Sequence, residues 1–454
     1  MNSRRVSHLV GTWVIAIALV ACTGSSDEVP ASDGPSSSTD TSSGLSPTGG
    51  PRGSVTVGVL GEPMTLDPYA ASASDLTYVL ARPLYPSLFR SLPDGSTEPY
   101  LAESVDPIEG GIRVQLRAAQ WSDGSPITSR DVVKSARRAR SPSGFALADS
   151  VRAAGSVAVE FRGDGVGWET ALAAGALVLP EGRPGSKFGG PYELTARTPG
   201  LQVVMRPNPR WFGGGVGVAR VRVQFIENLN TMVHLLRERR LDVIVPPSAV
   251  NLGFRLEEAG FPFDSALGWE SVSLDFSAGD LGRLDRLAFA AAVRRGALHA
   301  GFVRSDGRIS DTLTPEPGMG GADGPWREPA TDPTRLSGRT VALAAPTGDE
   351  LLNSFQDVIQ LQLDDVGAVA DLIDRDGRTF YGRWDERGPA DAYLVRSLGS
   401  PARTADEGRR PMAAMPMFQV ATYLAWNEGV AGLEVQPTIE GPLWNLESWS
   451  VREP

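Results

Sequence analysis

Two hydrophobic periods are mixed along this chain. Val55, Val57 and Val59 alternate with Thr56 and Gly58, which predicts a strand. The same two-residue period marks 112–116, 157–161, 192–196, 203–205 and 221–225. Helical spacing covers 74–89, where Pro83 must bend or restart the turn, and returns at Leu229, Met232, Val233 and Leu236. The apolar run 241–245 follows, so strand, helix and strand suggest a βαβ unit. Further on come a strand at 272–276, a helix at 284–302, a strand at 340–344, a helix at 350–363 and strands at 369–373, 392–395 and 418–425. Thr128 with Asp131 three residues on is spaced as a capping box opening a helix through Arg140. Turn clusters punctuate the chain at Thr65-Leu66-Asp67-Pro68, Trp121-Ser122-Asp123-Gly124-Ser125-Pro126 and Gly189-Gly190-Pro191, and 307–333 reads as a Pro/Gly-rich loop. The class is α/β with mixed sheets, and no internal repeat is visible.

The first fifty residues follow other rules. Arg4 and Arg5 precede a mostly apolar stretch, 9–20, far shorter than the about 20 residues that span a bilayer. It ends Leu19-Val20-Ala21-Cys22, which looks like a bacterial lipobox. Residues 1–21 are therefore expected to be a lipoprotein signal peptide, with lipid, a palmitate included, on Cys22. Residues 22–53 are mostly Ser, Thr, Gly, Pro and Asp, with almost no apolar residue, and cannot bury enough surface to fold. A tether of that length reaches about 30 Å. The expected place is the outer face of the cell membrane, lipid-anchored.

Composition narrows the chemistry. The 454 residues make two or three domains. The net charge of −11 argues against a nucleic-acid partner. Gly 51 and Pro 35 speak for many turns and against a helical bundle. Cys22 is the sole cysteine, so no disulfide framework or Cys-based metal site is available. The histidines are His8, His234 and His299, too few for a His-rich metal site, and no GxSxG, HExxH or GxxxxGK[ST] occurs. Gly213 to Gly217 lacks the strand and third glycine of a dinucleotide loop, and Asp364-Asp365 and Asp374-Arg375-Asp376 lack calcium-loop spacing. No cofactor, metal or catalytic residue is expected.

Several stretches, taken in order, resemble the family 5 extracellular solute-binding proteins of ABC importers, the group of oligopeptide-, dipeptide- and nickel-binding receptors. They are Val57-Gly58-Val59-Leu60-Gly61-Glu62-Pro63 with Thr65-Leu66-Asp67-Pro68, Leu84-Tyr85-Pro86-Ser87-Leu88-Phe89, and Pro99-Tyr100-Leu101-Ala102-Glu103-Ser104. Trp121-Ser122-Asp123-Gly124-Ser125-Pro126-Ile127-Thr128, Gly190-Pro191-Tyr192, Asn208-Pro209-Arg210-Trp211-Phe212-Gly213-Gly214 and Leu241-Asp242-Val243-Ile244 continue the series. Pro416-Met417-Phe418-Gln419 and Pro442-Leu443-Trp444-Asn445-Leu446 close it.

The resemblance implies a two-lobed periplasmic-binding-protein-like fold of type II. Lobe 1 would take 54–270 and 424–454, with an extra subdomain at about 90–186, and lobe 2 would take 271–423. It implies a monomer that captures a small peptide or similar solute by closure and delivers it to an ABC permease with its ATPase subunits. Ligand contacts are expected at the crossover, from Tyr69, Tyr85, Trp269, Asp275, Ser277, Tyr393, Arg396, Tyr423 and Trp426. The chain departs from the family in two ways. It has only a short Arg/Pro/Ala stretch between Ser397 and Met415, where the family carries a helical segment. It also has no carboxylate in 393–398, near where peptide-binding members hold a ligand's ammonium, so Arg396 could instead favour an anionic group. The shortened segment motivates an alternative, a non-transporting sensor or scaffold. A secreted enzyme would have to draw its base from His234, His299 or carboxylates, and nothing points there.

Overall fold

Two long strands, Phe263–Phe276 and Ala414–Trp426, run antiparallel through the middle of an eleven-stranded sheet. In the computed structural model the sheet runs, edge to edge, Val369–Arg375, Thr340–Pro346, Ala392–Leu398, Phe263–Phe276, Ala414–Trp426, Val243–Val245, Arg52–Leu60, Val218–Ile226, Gln202–Pro207 and Tyr192–Thr198. Gly307–Ile309 pairs with Ala414–Trp426 off this path. The structure describes residues 51–452 except 141, 164–165, 174, 278–280, 313–328, 383–389 and 399–413. Cys22, the signal segment, nearly all of the tether, most of the loop 307–333 and most of the short stretch after Ser397 lie outside the described residues.

The ladder between the two long strands is interrupted. Residues Phe263 to Leu267 pair with Ala425 to Ala421, the register shifts, and pairing resumes from Ser271 opposite Gln419. On one side of this break the apolar faces pack into a cluster that includes Val55, Val57, Trp121, Val223, Leu424 and Trp449. On the other side Val272, Leu274, Phe289, Leu343, Phe355 and Phe418 form a second cluster. The same two strands thus feed two cores, because their inward residues change partners at the irregularity.

Local sequence explains the flanking elements. Helix Leu229–Arg237 is capped by Asn228, whose side chain accepts from the Thr231 N–H at 2.9 Å. It joins Val218–Ile226 to Val243–Val245, and both lie parallel to Arg52–Leu60, which sits between them. The expected βαβ unit is therefore present, with one strand inserted. Helix Ser129–Arg138 opens on the Thr128–Asp131 capping box, as the spacing predicts. It packs beside a separate four-stranded sheet of Ala102–Ile108, Gly111–Leu116, Ala158–Arg162 and Ser150–Ala153. The continuous helix expected at 284–302 is broken into Arg283–Ala292, Arg295–Leu298 and a wide turn at His299–Val303. Tertiary contacts break it: the Arg294 N–H donates to the Gln362 side chain at 3.0 Å, and the buried Arg295 guanidinium donates to the Ser310 and Pro416 carbonyls. The helix expected over 74–89 ends at Ala81, ahead of Pro83.

Candidate functional site

Where the long strands change partners, Glu270 is the last residue before the ladder resumes, and its side chain is buried. A buried carboxylate needs a cation and hydrogen bonds. Arg396, on the paired strand Ala392–Leu398, supplies the cation: Nη1 donates to Glu270 Oε1 at 2.7 Å. The hydroxyl of Thr422, on the other long strand, donates to Oε2 at 2.7 Å. The rest of the Arg396 fork meets Asp349, with Nε donating to Oδ2 at 2.9 Å and Nη2 to Oδ1 at 3.0 Å. Asp349 is buried because it also caps helix Glu350–Asp364, accepting from the Leu352 N–H at 3.1 Å. Nη2 donates in addition to the Ser248 carbonyl at 2.9 Å.

Two carboxylates thus share one guanidinium. Burial works against the charge on Arg396, but Asp349 and Glu270 outweigh it and hold the proton more firmly than on a free arginine. Burial pushes the Glu270 carboxyl above its ordinary 4.5; Arg396 and Thr422 pull it back, and the like charge of Asp349 adds to the rise.

The nine residues singled out at the sequence level fall into four places. Asp275 and Tyr393 face each other in register, and the Ser277 N–H donates to the Asp391 carbonyl at 3.0 Å at the same end. Asp275 Oδ1 also accepts from the Ser273 hydroxyl at 2.6 Å, while Tyr393 packs edge-on against Phe380. Arg396 is three residues along this strand. Tyr423 and Trp426 sit on the far half of the second long strand; Tyr423 is buried beside Phe263, and Trp426 is half-buried opposite Val243. Tyr69 and Tyr85 are core residues of the first cluster. The Tyr69 hydroxyl donates to the Leu177 carbonyl at 2.6 Å, and the Tyr85 hydroxyl accepts from the Gly185 N–H at 2.8 Å. Burial pushes the Tyr85 phenol up to about 12, so it stays a neutral hydrogen-bonding group. Trp269 has its backbone in the strand at the register shift; its side chain lies outside the described residues.

The sequence reading offered the Arg396 fork to an anion; in the structure it is directed at Asp349, Glu270 and Ser248. Sequence reasoning did not single out Glu270, Asp349, Thr422 or Ser248. Asp349 carried a readable signal, an acidic residue just before a periodic apolar helix. The other three are 126 to 152 positions from their partners, and no local pattern marks them.

A groove of about 840 Å³ lies on the outer four-stranded subdomain, lined by Arg130, Lys134, Arg137, Arg152 and Lys187 among others. Both lysines of the chain are in it. Among these cations, Lys134 pairs with Glu181, Arg152 with Glu160 at 2.5 Å, and Lys187 with Asp123 at 3.5 Å. His234 is exposed and pairs with Glu238 at 3.0 Å, and His299 contacts the Gly307 carbonyl at 3.2 Å. Neither is set against a nucleophile by any described contact. Among the described residues no helix is long and apolar enough to cross a membrane.

Two separately packed lobes threaded by two strands define the periplasmic-binding-protein-like fold, and solved structures share it. The oligopeptide-binding protein AppA from Bacillus subtilis, in complex with a nonapeptide, superposes with a TM-score of 0.72 at 15% identity, over 88% of this chain and 99% of that one. NikA from Staphylococcus aureus in complex with Ni(L-His)2 gives 0.70 at 13% identity over 86% and 97%. DppA from Helicobacter pylori, an ABC transporter-associated periplasmic binding protein in complex with the peptide STSA, gives 0.70 at 13% over 88% and 98%. No protein-family profile and no curated protein sequence matches this chain.

Proposed function

We propose that this protein is the substrate-binding component of an ABC importer, a monomer that captures a small peptide or similar solute between two lobes and hands it to a permease driven by ATPase subunits. The lobes would be 54–270 with 424–454, carrying the subdomain at about 90–186, and 271–423. Cys22 would carry the lipid that moors it outside the cell membrane. Two acyl chains suffice for stable anchoring where one does not.

The observation that carries this reading is the pair of strands Phe263–Phe276 and Ala414–Trp426, the main sheet connection between two separate cores. Such a hinge lets the lobes part and close, and a solute touching both favours the closed state by its differential affinity. The aromatic and polar groups near the crossover, Tyr393, Asp275, Ser277, Tyr423 and Trp426 with Trp269, are the proposed contacts, with Tyr69 and Tyr85 supporting from the first core. The work is binding and release, and no covalent step is proposed.

A thermal-shift screen across short peptides, metal chelates, amino acids and sugars tests it. One class should raise the melting temperature in a concentration-dependent way. A flat response over the whole panel would count against the reading. Loss of palmitate labelling in Cys22→Ser tests the anchor; wild-type protein without label would remove it.

A further inference from the structure

The described side chains tie the two lobes together at several points, and the backbones touch at one more. Arg396, Asp349 and the helix Asp349 caps belong to the second lobe, whereas Ser248 follows strand Val243–Val245 of the first, so the 2.9 Å bond from Arg396 to the Ser248 carbonyl crosses between them. Arg255, on first-lobe helix Leu252–Glu258, reaches both oxygens of Glu350 at 3.0 Å. Glu62 holds Arg197 of its own lobe at 2.9 Å and stands 3.7 Å from Arg378 on second-lobe helix Gly377–Gly382. The Leu398 N–H donates at 2.6 Å to Asp75, in the first turn of first-lobe helix Asp75–Ala81. At Gly348, with φ +88°, an added Cβ would lie 2.5 Å from the Glu227 carbonyl of the first lobe.

We propose that this protein closes its lobes without a solute, through a latch of its own side chains centred on Arg396. The inference rests on the two-lobed reading above, and its test uses no solute, so a failed screen and a failed latch are distinguishable.

In the closed state Arg396, Glu270 and Asp349 satisfy one another with little water, and the Ser248 carbonyl adds a fourth partner from across the junction. Parting the lobes removes the Ser248 bond and hydrates a buried cluster built to be dry. The Arg255–Glu350 and Glu62–Arg378 pairs are more exposed and contribute less each, but they act in the same direction. A solute then meets a receptor that is mostly shut. It enters through a minor open state, and its observed association rate is scaled by that state's population.

Gly348 supplies a clean probe. Alanine there meets two penalties. The positive φ strains the residue in either state, while the clash with Glu227 exists only when the lobes are closed. Gly338, with φ +74° and nothing within 4 Å, supplies the control that has the strain without the clash.

The experiment is single-molecule energy transfer between dyes on Leu201→Cys and Leu361→Cys, exposed positions in the first and second lobe, in a Cys22→Ser full-length background without added solute. A preparation stripped of any co-purifying solute by reversible denaturation is used, and circular dichroism checks the fold of each variant. The expected result is one dominant high-transfer population. Gly348→Ala should raise the low-transfer fraction several-fold and Gly338→Ala should not. Arg255→Ala combined with Arg378→Ala, both at the surface, should raise it in the same direction, and the rise should shrink with salt, which already weakens these pairs in the unsubstituted protein. Solute-free protein that is mainly in the low-transfer state overturns the proposal. So does folded Gly348→Ala whose distribution matches that of Gly338→Ala. If Gly348→Ala does not fold, the double surface variant decides, and an unchanged distribution there overturns the latch.

Discussion

The Arg82–Glu440 pair fastens the end of the chain to its beginning, and its loss should be expensive. Arg82 follows helix Asp75–Ala81, and Glu440 lies in the segment returning to the first lobe; their side chains are 3% and 1% exposed, with Nε 2.8 Å from Oε2. Glu440 also accepts from the Ser91 N–H at 2.9 Å, and the guanidinium lies 4.7 Å from the Tyr100 ring centre. Replacing Arg82 by Met leaves a buried carboxylate with the Ser91 N–H as its hydrogen-bond donor and no cation in direct contact, only the more distant charge of Arg90. Removing one member of such a pair costs about 3–5 kcal/mol, whereas replacing both by apolar groups is often close to neutral. Arg82→Met and Glu440→Gln should therefore each lower the urea-unfolding free energy by about that range, and the double Arg82→Met/Glu440→Leu by much less than the sum. The pH adds a second handle. Burial already pushes the Glu440 carboxyl above 4.5 and Arg82 pulls it down. Without Arg82 the folded-state value rises further, so the penalty is full above that raised value, shrinks as pH falls through it and the buried carboxyl takes up a proton, and is gone below about 4.5, where the unfolded chain is protonated too. Single substitutions that each cost under about 1 kcal/mol, or additive losses in the double, would refute this account of the pair.

Glu62 should make stability fall in acid: burial raises its carboxyl, but hydrogen bonds from Arg197 and the Gly200 N–H and the charges of Arg197 and Arg378 outweigh that and hold it below 4.5. Its contribution is present above 4.5 and is lost as pH drops through the depressed value, so Glu62→Gln should flatten the acid limb of a stability–pH curve. Thr128→Ala removes the cap of helix Ser129–Arg138 and should cost about 1 kcal/mol by denaturant titration. Asp131→Ala should cost more, because Asp131 Oδ1 also accepts from the Glu181 N–H at 3.0 Å. Trp121→Ala, at a fully buried site in the first core, should cost about 3–5 kcal/mol and lower the melting temperature without releasing the second core.

What the sequence made legible is local. The Val55–Val57–Val59 alternation, the Thr128–Asp131 spacing and the apolar face of Leu229, Met232 and Leu236 each state their structure within a few residues, and each appears as read. The two-lobed fold was legible only through the order of short resembling stretches. Strand Phe263–Phe276 was read from 272 onward because its first half carries Asp264, Ser265 and Gly268, which break the apolar alternation. The 284–302 helix was overdrawn because Gln362 and Pro416, which help interrupt it, are remote in sequence. The junction was illegible for the same reason: Arg396 reads as a contact for an anionic ligand group until its strand is paired against Glu270 and the cap of helix Glu350–Asp364 is brought beside it.

Mass analysis of what the protein carries decides whether its lobes hold a cargo. Protein isolated gently from its native membrane, then denatured, should release one small solute in roughly stoichiometric amount, and that solute added back to stripped protein should raise its melting temperature. Release of no stoichiometric solute, together with no thermal shift from any compound of the panel, would contradict the claim that the two lobes exist to hold a cargo.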